Sequence, residues 1–232
     1  MNSRYGQGQT LTVWTVADPV SDDPTLTNEA VAVRPYHNPP SGAEQPETEE
    51  KIDMGDDRIM RVSHHDGSLW TGHTIDDGRA RWYELDPDGV SVVQSGSFKR
   101  NGLASFYPAI AAADAGAAFV YNTSGPANDG SGYASMEVAA RSADDPAGEV
   151  SAYEVVAQGV DDYDDQDGPA GEDDRGPQVM RWGDYNGISP DPESGGFWVV
   201  SQYAATPSPT PESEDYLADN DYDTKIAHVT LE

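Results

Sequence analysis

The 232-residue sequence has no cysteine, only three lysines and no long apolar run. Without cysteine the chain can form no disulfide, no thiolate nucleophile and no thiolate metal site. No stretch approaches the ~18 consecutive apolar residues that a membrane helix requires, and residues 1–9 contain no apolar signal-peptide core. We therefore expect neither membrane insertion nor a signal peptide within this chain.

Positive charge is scarce, since 13 Lys and Arg stand against 42 Asp and Glu, for a formal net charge of −29. Phosphate backbones are bound by clustered Lys and Arg, so we expect no nucleic-acid partner. A content of 36% hydrophobic and 9% aromatic residues argues against a disordered acidic chain. At molar salt the Debye length falls to ~3 Å, which screens self-repulsion. The composition is typical of extreme halophiles, with most carboxylates on the solvated surface.

The pattern of apolar residues favours strands over helices. The sequence contains 23 Gly and 17 Pro, and its apolar segments are short, alternating and rich in Val, Tyr and Trp. The predicted strands cover residues 11–16, 30–36, 58–62, 68–74, 79–85, 90–95, 109–112, 117–122, 134–140, 151–158, 187–189, 197–203 and 225–231. The predicted fold class is all-β.

Three segments, residues 61–70, 109–119 and 187–198, share an internal repeat. Each reads as a strand, an acidic turn with Gly, and a second strand that an aromatic residue leads. Asp and Gly tolerate the positive φ that tight hairpins demand. We expect the aromatics Trp70, Phe119 and Trp198 to pack between neighbouring sheets. Trp70 and Phe119 lie 49 positions apart, a spacing typical of one four-stranded propeller blade.

These features predict a β-propeller of four-stranded blades that forms a partial ring of about three to four blades. Blades are expected at about 57–98, 105–159 and 181–232, within a region spanning 56–232. Residues 1–55 are predicted to supply the outer strands of an incomplete blade and an acidic loop. A closed ring of six or seven blades needs more chain, so we expect a fragment of a longer protein. Its unpaired sheet edges favour self-association or pairing with a missing propeller half.

Seven strings carry a resemblance to a known family. They are Asp-Asp-Arg-Ile-Met at 56–60, Gly-Ser-Leu-Trp-Thr-Gly-His-Thr at 67–74, Arg-Trp-Tyr-Glu-Leu-Asp at 81–86, Tyr-Pro-Ala-Ile-Ala at 107–111, Asp-Asp-Pro-Ala-Gly at 144–148, Arg-Trp-Gly-Asp-Tyr-Asn-Gly at 181–187 and Phe-Trp-Val-Val-Ser-Gln-Tyr at 197–203. Together they resemble a largely uncharacterised family of secreted, sialidase-like β-propeller proteins of the Asp-box type, found in bacteria and haloarchaea. The resemblance implies an extracellular or cell-surface location.

The sequence departs from the sialidase motifs at several positions. The Asp-box, Ser/Thr-x-Asp-x-Gly-x-Thr-Trp, is echoed at 63–70 with His65 in place of the Asp and Leu69 in place of the Thr. The Arg-Ile-Pro motif is mirrored at 58–60 with the Pro lost. Asp-boxes are structural turns, so they do not themselves imply catalysis.

Sialidase chemistry uses three arginines to hold a carboxylate, a Tyr nucleophile with a Glu beside it, and an Asp acid/base. The resemblance nominates Arg58, Arg181, Asp184 and Tyr185 as catalytic candidates, and Arg81, Trp82 and Trp182 as binding candidates. No Glu stands in a matching motif. The competing interpretation of residues 181–185 is a salt-bridged, aromatic brace at the start of a blade.

The leading functional expectation is a non-catalytic module that presents loops for glycan or protein binding. One alternative is a fragment of a sialidase-type glycoside hydrolase, and another is a structural half-propeller that a second chain completes. Residues 161–168 resemble a calcium loop because closely spaced carboxylates offer the hard oxygens that Ca²⁺ prefers. Asp165 and Asp167 are the candidate ligands, and a solvated acidic insertion is the alternative. No other cofactor is expected.

Overall fold

The computed structural model describes residues 2–3, 5–100, 102–163, 179–205 and 222–231. All 17 secondary-structure elements in these ranges are strands. The described ranges contain no helix, and so none that could cross a membrane. The all-β prediction is confirmed.

Four antiparallel sheets follow one another along the chain, each with its strands in sequence order. The first sheet contains β1 (Asn2–Ser3), β2 (Gln7–Ala17) and β3 (Thr25–His37). The second contains β6 (Val62–His65), β7 (Ser68–Ile75), β8 (Arg79–Asp86) and β9 (Ser91–Phe98). The third contains β10 (Ala104–Ala113), β11 (Gly116–Ser124), β12 (Ser135–Ser142) and β13 (Ala152–Ala157). The fourth contains β15 (Gly187–Pro190), β16 (Phe197–Ala204) and β17 (Tyr222–Val229).

A small mixed sheet joins two distant connections. It consists of β4 (Gly42–Ala43), β5 (Lys51–Asp53) and β14 (Val179–Met180), with β5 in the centre. Because β14 runs parallel to β5, the segment that leads into the fourth sheet is tied to the segment that leads into the second.

The strand expected at 58–62 is wrong in its extent, since β6 begins only at Val62. The backbone N–H of Arg58 donates to the side chain of Asp56 at 2.8 Å. This local turn removes residues 58–61 from the ladder, because an Asp that bonds the amide two residues later mimics a turn.

The predicted acidic turns do form hairpins. In the β6–β7 turn Asp66 and Gly67 have φ values of 44° and 78°, and His65 pairs with Ser68 across them. Positive φ at both central residues is the geometry that suits a two-residue hairpin. The β10–β11 turn is equally short, since Ala113 pairs with Gly116.

The aromatic expected to pack in the third repeat is wrong by one residue. Phe197 is fully buried, whereas Trp198 is 51% exposed. Successive side chains of a strand point to opposite faces of a sheet, so only one of the two neighbours can face the interior. Phe197 therefore occupies the position that Phe119 holds in the third sheet.

Three apolar layers join the four sheets face to face. Leu11, Val13 and Val31 of the first sheet pack on Ile75, Tyr83 and Leu85 of the second. Trp70, Trp82 and Phe98 of the second pack on Ile110, Phe119 and Tyr121 of the third. Ala109, Val120 and Val138 of the third pack on Ile188, Phe197 and Val199 of the fourth. The third sheet is thus buried on both faces, and the described sheets form an open stack rather than a closed ring.

The layer between the second and third sheets predicts a large stability cost for truncating Phe119. Its ring is fully buried and contacts the rings of Trp82 and Phe98. We expect Phe119→Ala to lower the free energy of unfolding by about 3–5 kcal/mol. Urea unfolding in molar KCl measures this change. Val93→Ala is the control: Val93 is exposed, so its substitution should shift stability by less than about 0.5 kcal/mol. Equal effects of the two variants would contradict the packing.

Candidate functional site

A cleft of ≈ 100 Å³ lies where the segments leading into the second, third and fourth sheets meet. Its walls come from residues within 56–61 before β6, from 72–74 in β7, from 107–109 in β10 and from 184–186 before β15. Four separate parts of the chain therefore contribute to one site.

Tyr107 forms the floor of the cleft and has an unusual backbone. Its φ is 52°, a left-handed conformation that costs an L-residue roughly 1–2 kcal/mol. Tyr107 also precedes Pro108, and a residue before proline normally adopts extended backbone. The β10–β11 ladder shifts register between Phe106 and Ala109. The side chain of Tyr107 therefore does not follow the regular alternation of side chains along β10.

Hydrogen bonds hold Tyr107 at three points. Its N–H donates to Oγ1 of Thr74 at 3.0 Å, its carbonyl accepts from Nδ2 of Asn186 at 2.9 Å, and its hydroxyl donates to Oδ1 of Asp184 at 3.4 Å. Burial raises the pKa of the Tyr107 phenol well above its ordinary range, and the nearby carboxylates of Asp53 and Asp184 raise it further. The phenol is therefore neutral at physiological pH.

Asn186 is held in turn by the interior of the neighbouring sheets. Its Nδ2 donates to Oδ1 of Asn122 at 3.1 Å, and its Oδ1 accepts from the hydroxyl of Ser201 at 2.6 Å. All three side chains are buried. A buried polar network with satisfied partners fixes the position of each member, so the floor of the cleft is rigid.

Asp56 and Arg58 form an ion pair on one wall. Nε of Arg58 donates to both carboxylate oxygens of Asp56 at 2.8 Å, and Nη2 lies 2.6 Å from Oδ2. Burial alone would raise the pKa of Asp56, but the hydrogen bonds and charge of Arg58 outweigh burial and lower it. Asp56 is thus ionised, and the Arg58 side chain lies at the protein surface.

Tyr185 also lines the cleft and is 71% exposed. Its neighbour Asp184 faces Arg181, whose Nη2 lies 3.9 Å from Oδ2 of Asp184. The structure therefore brings Arg58, Asp184 and Tyr185 together around one cleft and places Arg181 beside it. The salt-bridged brace expected for residues 181–185 is present only as this long, exposed contact.

His73 lines the cleft and is almost completely buried. One ring nitrogen, Nδ1, lies 2.6 Å from the carbonyl oxygen of Asp57, and Nε2 lies 3.0 Å from the hydroxyl of Tyr83. Burial lowers the pKa of His73 to about 4. The ring is therefore neutral at pH 7, with both nitrogens engaged in internal contacts.

The three binding candidates lie outside the cleft lining. Arg81 is buried and donates to the carbonyls of Arg34 and Pro35, so it pins the first sheet to the second. Trp82 is fully buried between sheets, and Trp182 packs against Tyr163. Their contacts here are those of packing residues, and their role in ligand binding stays a prediction.

The calcium candidates Asp165 and Asp167 lie outside the described residues. Tyr163, at the start of that loop, is described and buried. The side-chain amide of Gln45 bonds its backbone twice, because Nε2 donates to the carbonyl oxygen of Tyr163 and Oε1 accepts from the Tyr163 N–H. Among the described residues no group of three or more His, Asp or Glu is placed to hold a metal ion.

Sequence reasoning did not nominate Tyr107 or Asn186 as site residues, although the strings at 107–111 and 181–187 carry the family resemblance. The Tyr-Pro pair was the one local signal of an irregular backbone. The contacts of Asn186 join residues 79 and 64 positions apart, and no local pattern encodes such contacts.

Comparison of the chain with protein-family models, with curated proteins and with solved structures finds no match.

The burial of His73 predicts a loss of stability at mildly acidic pH. Its folded pKa of about 4 lies below the unfolded value of 6.5, so the unfolded state binds more protons between these values. Stability present above pH 6.5 is then lost as the pH falls, by about 2 kcal/mol between pH 7.5 and 5. Urea unfolding at both pH values measures the loss. His73→Gln should remove most of this difference, and an unchanged difference in that variant would assign it to other groups.

The close approach of Gly55 to Tyr107 predicts that Gly55→Ala is more harmful than an ordinary glycine substitution. Gly55 has a φ of 67°, and an added Cβ would lie 2.7 Å from Cε1 of Tyr107. Gly67 is a matched control, since its φ is 78° and nothing lies within 4 Å of an added Cβ. We expect Gly67→Ala to cost about 1–2 kcal/mol from backbone strain, and Gly55→Ala to cost at least about 1 kcal/mol more from overpacking. Equal unfolding free energies for the two variants would show that the Tyr107 ring can shift to accommodate the added Cβ.

Proposed function

We propose that the four sheets are blades of a β-propeller-like arc, and that the cleft between their entry segments binds a glycan without transforming it. The second and third sheets support the first part, because each has four antiparallel strands in chain order and each packs face to face on its neighbours. Successive four-stranded sheets of this kind are the unit of propellers. The sialidase-like assignment rests on the sequence resemblance.

The observation that carries the binding proposal is that the exposed ring of Tyr185 and the Asp56–Arg58 ion pair line the same cleft as the hydrogen-bonded Tyr107 and Asn186. An exposed tyrosine offers a flat apolar face together with a hydroxyl. Arg58 and Asp56 supply donors and an acceptor in fixed geometry. Sugars have the matching surface, with an apolar C–H face and a ring of hydroxyls.

Charge also distinguishes this cleft from the rest of the molecule. Arg58 and Arg61 line it and Arg181 lies beside it, although the whole chain has only 13 basic residues. The carboxylates around it are Asp56 and Asp184. The site therefore lacks the strong negative charge of the remaining surface and suits a neutral or acidic sugar.

The titration states around the cleft favour binding over catalysis. Tyr107, the cleft tyrosine that donates a hydrogen bond to a carboxylate, has a raised pKa, which opposes its own use as a nucleophile. His73 is neutral and internally bonded. None of the described lining residues is a Glu.

A sialidase-type hydrolase is the second candidate, and one observation favours it. Arg58, Asp184 and Tyr185, which the family resemblance nominates separately, line the same cleft. Turnover of a fluorogenic sialoside separates the two candidates, because a binding module leaves the substrate intact.

We further propose that the protein is exported and functions at high salt. The acid-rich composition supports a halophilic origin, and the family resemblance supports an exported module. Binding should accordingly be measured in molar KCl.

The test is a screen of immobilised neutral and acidic glycans, followed by calorimetric titration of the best one. We expect Tyr185→Ala to weaken binding at least about 10-fold, since it removes the stacking face, a loss of about 1.4 kcal/mol. Tyr185→Phe keeps that face and should stay within about 3-fold. Tyr133→Ala is the control, because Tyr133 is a partly exposed tyrosine outside the cleft lining.

If the Tyr185→Ala variant binds the glycan as tightly as the wild type, the glycan does not bind at this cleft and the proposal is wrong. If the wild-type protein hydrolyses the sialoside and the Tyr185→Ala variant does not, the protein is a sialidase-type hydrolase and not a binding module.

A further inference from the structure

Each end of the stack of four sheets presents one face that no other sheet of the stack covers. The first sheet buries Leu11, Val13 and Val31 against the second, and its opposite face carries Val16 and Leu26, which are 53% and 60% exposed. We call this opposite face the N-terminal end face. Its residues are Thr10, Thr12, Trp14, Val16, Leu26, Asn28, Ala30 and Ala32, which the ladder pairs across β2 and β3.

The fourth sheet has the corresponding C-terminal end face. Ile188, Phe197 and Val199 face the third sheet, so the alternate positions of β15, β16 and β17 face outward. Ile226 is 68% exposed, and it pairs with the exposed Val200. The C-terminal end face consists of Gly187, Ser189, Trp198, Val200, Gln202, Thr224, Ile226 and His228. At the next alternate positions the sheet is covered, since Ala204 is fully buried in the cluster of Ile52 and Trp182 and the Tyr222 ring contacts Tyr163.

None of the strand positions on the two end faces is an Asp or a Glu, although the chain has 42 of them. One carboxylate reaches the C-terminal end face from outside its strands, since Oδ2 of Asp191 lies 3.1 Å from Nε2 of His228. Both faces carry large apolar side chains at exposed positions, Val16 and Leu26 on one and Val200 and Ile226 on the other. In a protein of net charge −29, strand faces with exposed apolar residues and no Asp or Glu have the composition of a surface that becomes buried.

A second copy of this chain fits these faces better than an unrelated partner does. Each copy brings one N-terminal and one C-terminal end face, so two copies can cover all four faces through the same contact made twice about a two-fold axis. Each copy contributes four sheets, and two copies contribute eight, which lies within the range of about 4–8 blades that propellers close. The new contact would be face-to-face packing of sheets, as in the three internal layers.

We propose that two copies of this chain associate head to tail, with the N-terminal end face of each packed on the C-terminal end face of the other. The inference rests on the propeller-like arrangement proposed for the four sheets, and it is independent of the ligand proposed for the cleft. If two copies instead paired through their N-terminal end faces, both C-terminal end faces would stay exposed. Such a dimer would not explain why the C-terminal end face also carries exposed apolar residues.

Light scattering after gel filtration in molar KCl tests the association, since high salt screens the repulsion between two acidic copies. The monomer has a mass of 24.9 kDa, and we expect twice that mass. Val16→Asp and Ile226→Asp each place a charge on one end face and should yield monomers that still unfold cooperatively. Val93→Asp is the control, because Val93 is as exposed as Val16, at 54% against 53%, and lies on neither face. It should remain a dimer.

The absence of cysteine allows the orientation to be tested by cross-linking. Ala30→Cys and Thr224→Cys each place a single thiol on one end face. With a flexible bis-maleimide, a mixture of the two variants should give a covalent dimer, and each variant alone should give little.

Three outcomes would overturn the proposal. They are a wild-type monomer at all protein concentrations, a growing series of larger species, and self-cross-linking of Ala30→Cys or Thr224→Cys alone. The second would mean that the contact does not close, and the third that like faces pair.

Discussion

The left-handed backbone of Tyr107 is the constraint on which the cleft depends. Without the register shift at residues 106–109, β10 would continue its alternation and the Tyr107 ring would enter one of the apolar layers. The strain of about 1–2 kcal/mol is offset by hydrogen bonds from β7 and from the segment before β15. Three sheets thus meet at one residue, and a strained residue held by several elements is characteristic of functional sites.

The distribution of positive charge explains how so acidic a chain keeps a defined interior. Several arginines bind internal oxygens: Arg81 binds the carbonyls of Arg34 and Pro35, Arg141 binds those of Asp145 and Glu149, and Arg100 binds the buried carboxylate of Glu137. Arg61 donates to the carbonyl of Ile188 and so links the second sheet to the fourth. Because these cations serve internal contacts, few of the 13 Lys and Arg remain to pair with the 42 Asp and Glu, and an exposed ion pair contributes little to stability.

Local sequence patterns predict most of the fold but less of the site. Alternation and Asp-Gly turns are local signals, and they correctly give β7, β8 and β9 of the second sheet, the strands of the third sheet and the two-residue hairpin at Asp66–Gly67. They do not predict which of two adjacent aromatic residues faces the interior. Phe197 is buried against the third sheet and Trp198 is exposed, and only the assembled sheets distinguish the two. They also miss the Tyr107–Asn186–Asn122 network, whose members meet only after three sheets have assembled. The family resemblance nominates Arg58, Asp184 and Tyr185, and these three residues line one cleft because the segments that lead into the sheets meet there.

The cleft and the C-terminal end face depend on one strand. Ser201 in β16 points inward and accepts and donates within the network that holds Asn186. Its neighbour Val200 points outward on the end face. Successive side chains of a strand point to opposite faces of a sheet, so β16 can support the cleft with one face while the other packs against a second copy. The alternation of a single strand thus places the support of the polar cleft and the proposed contact on opposite sides of the same sheet.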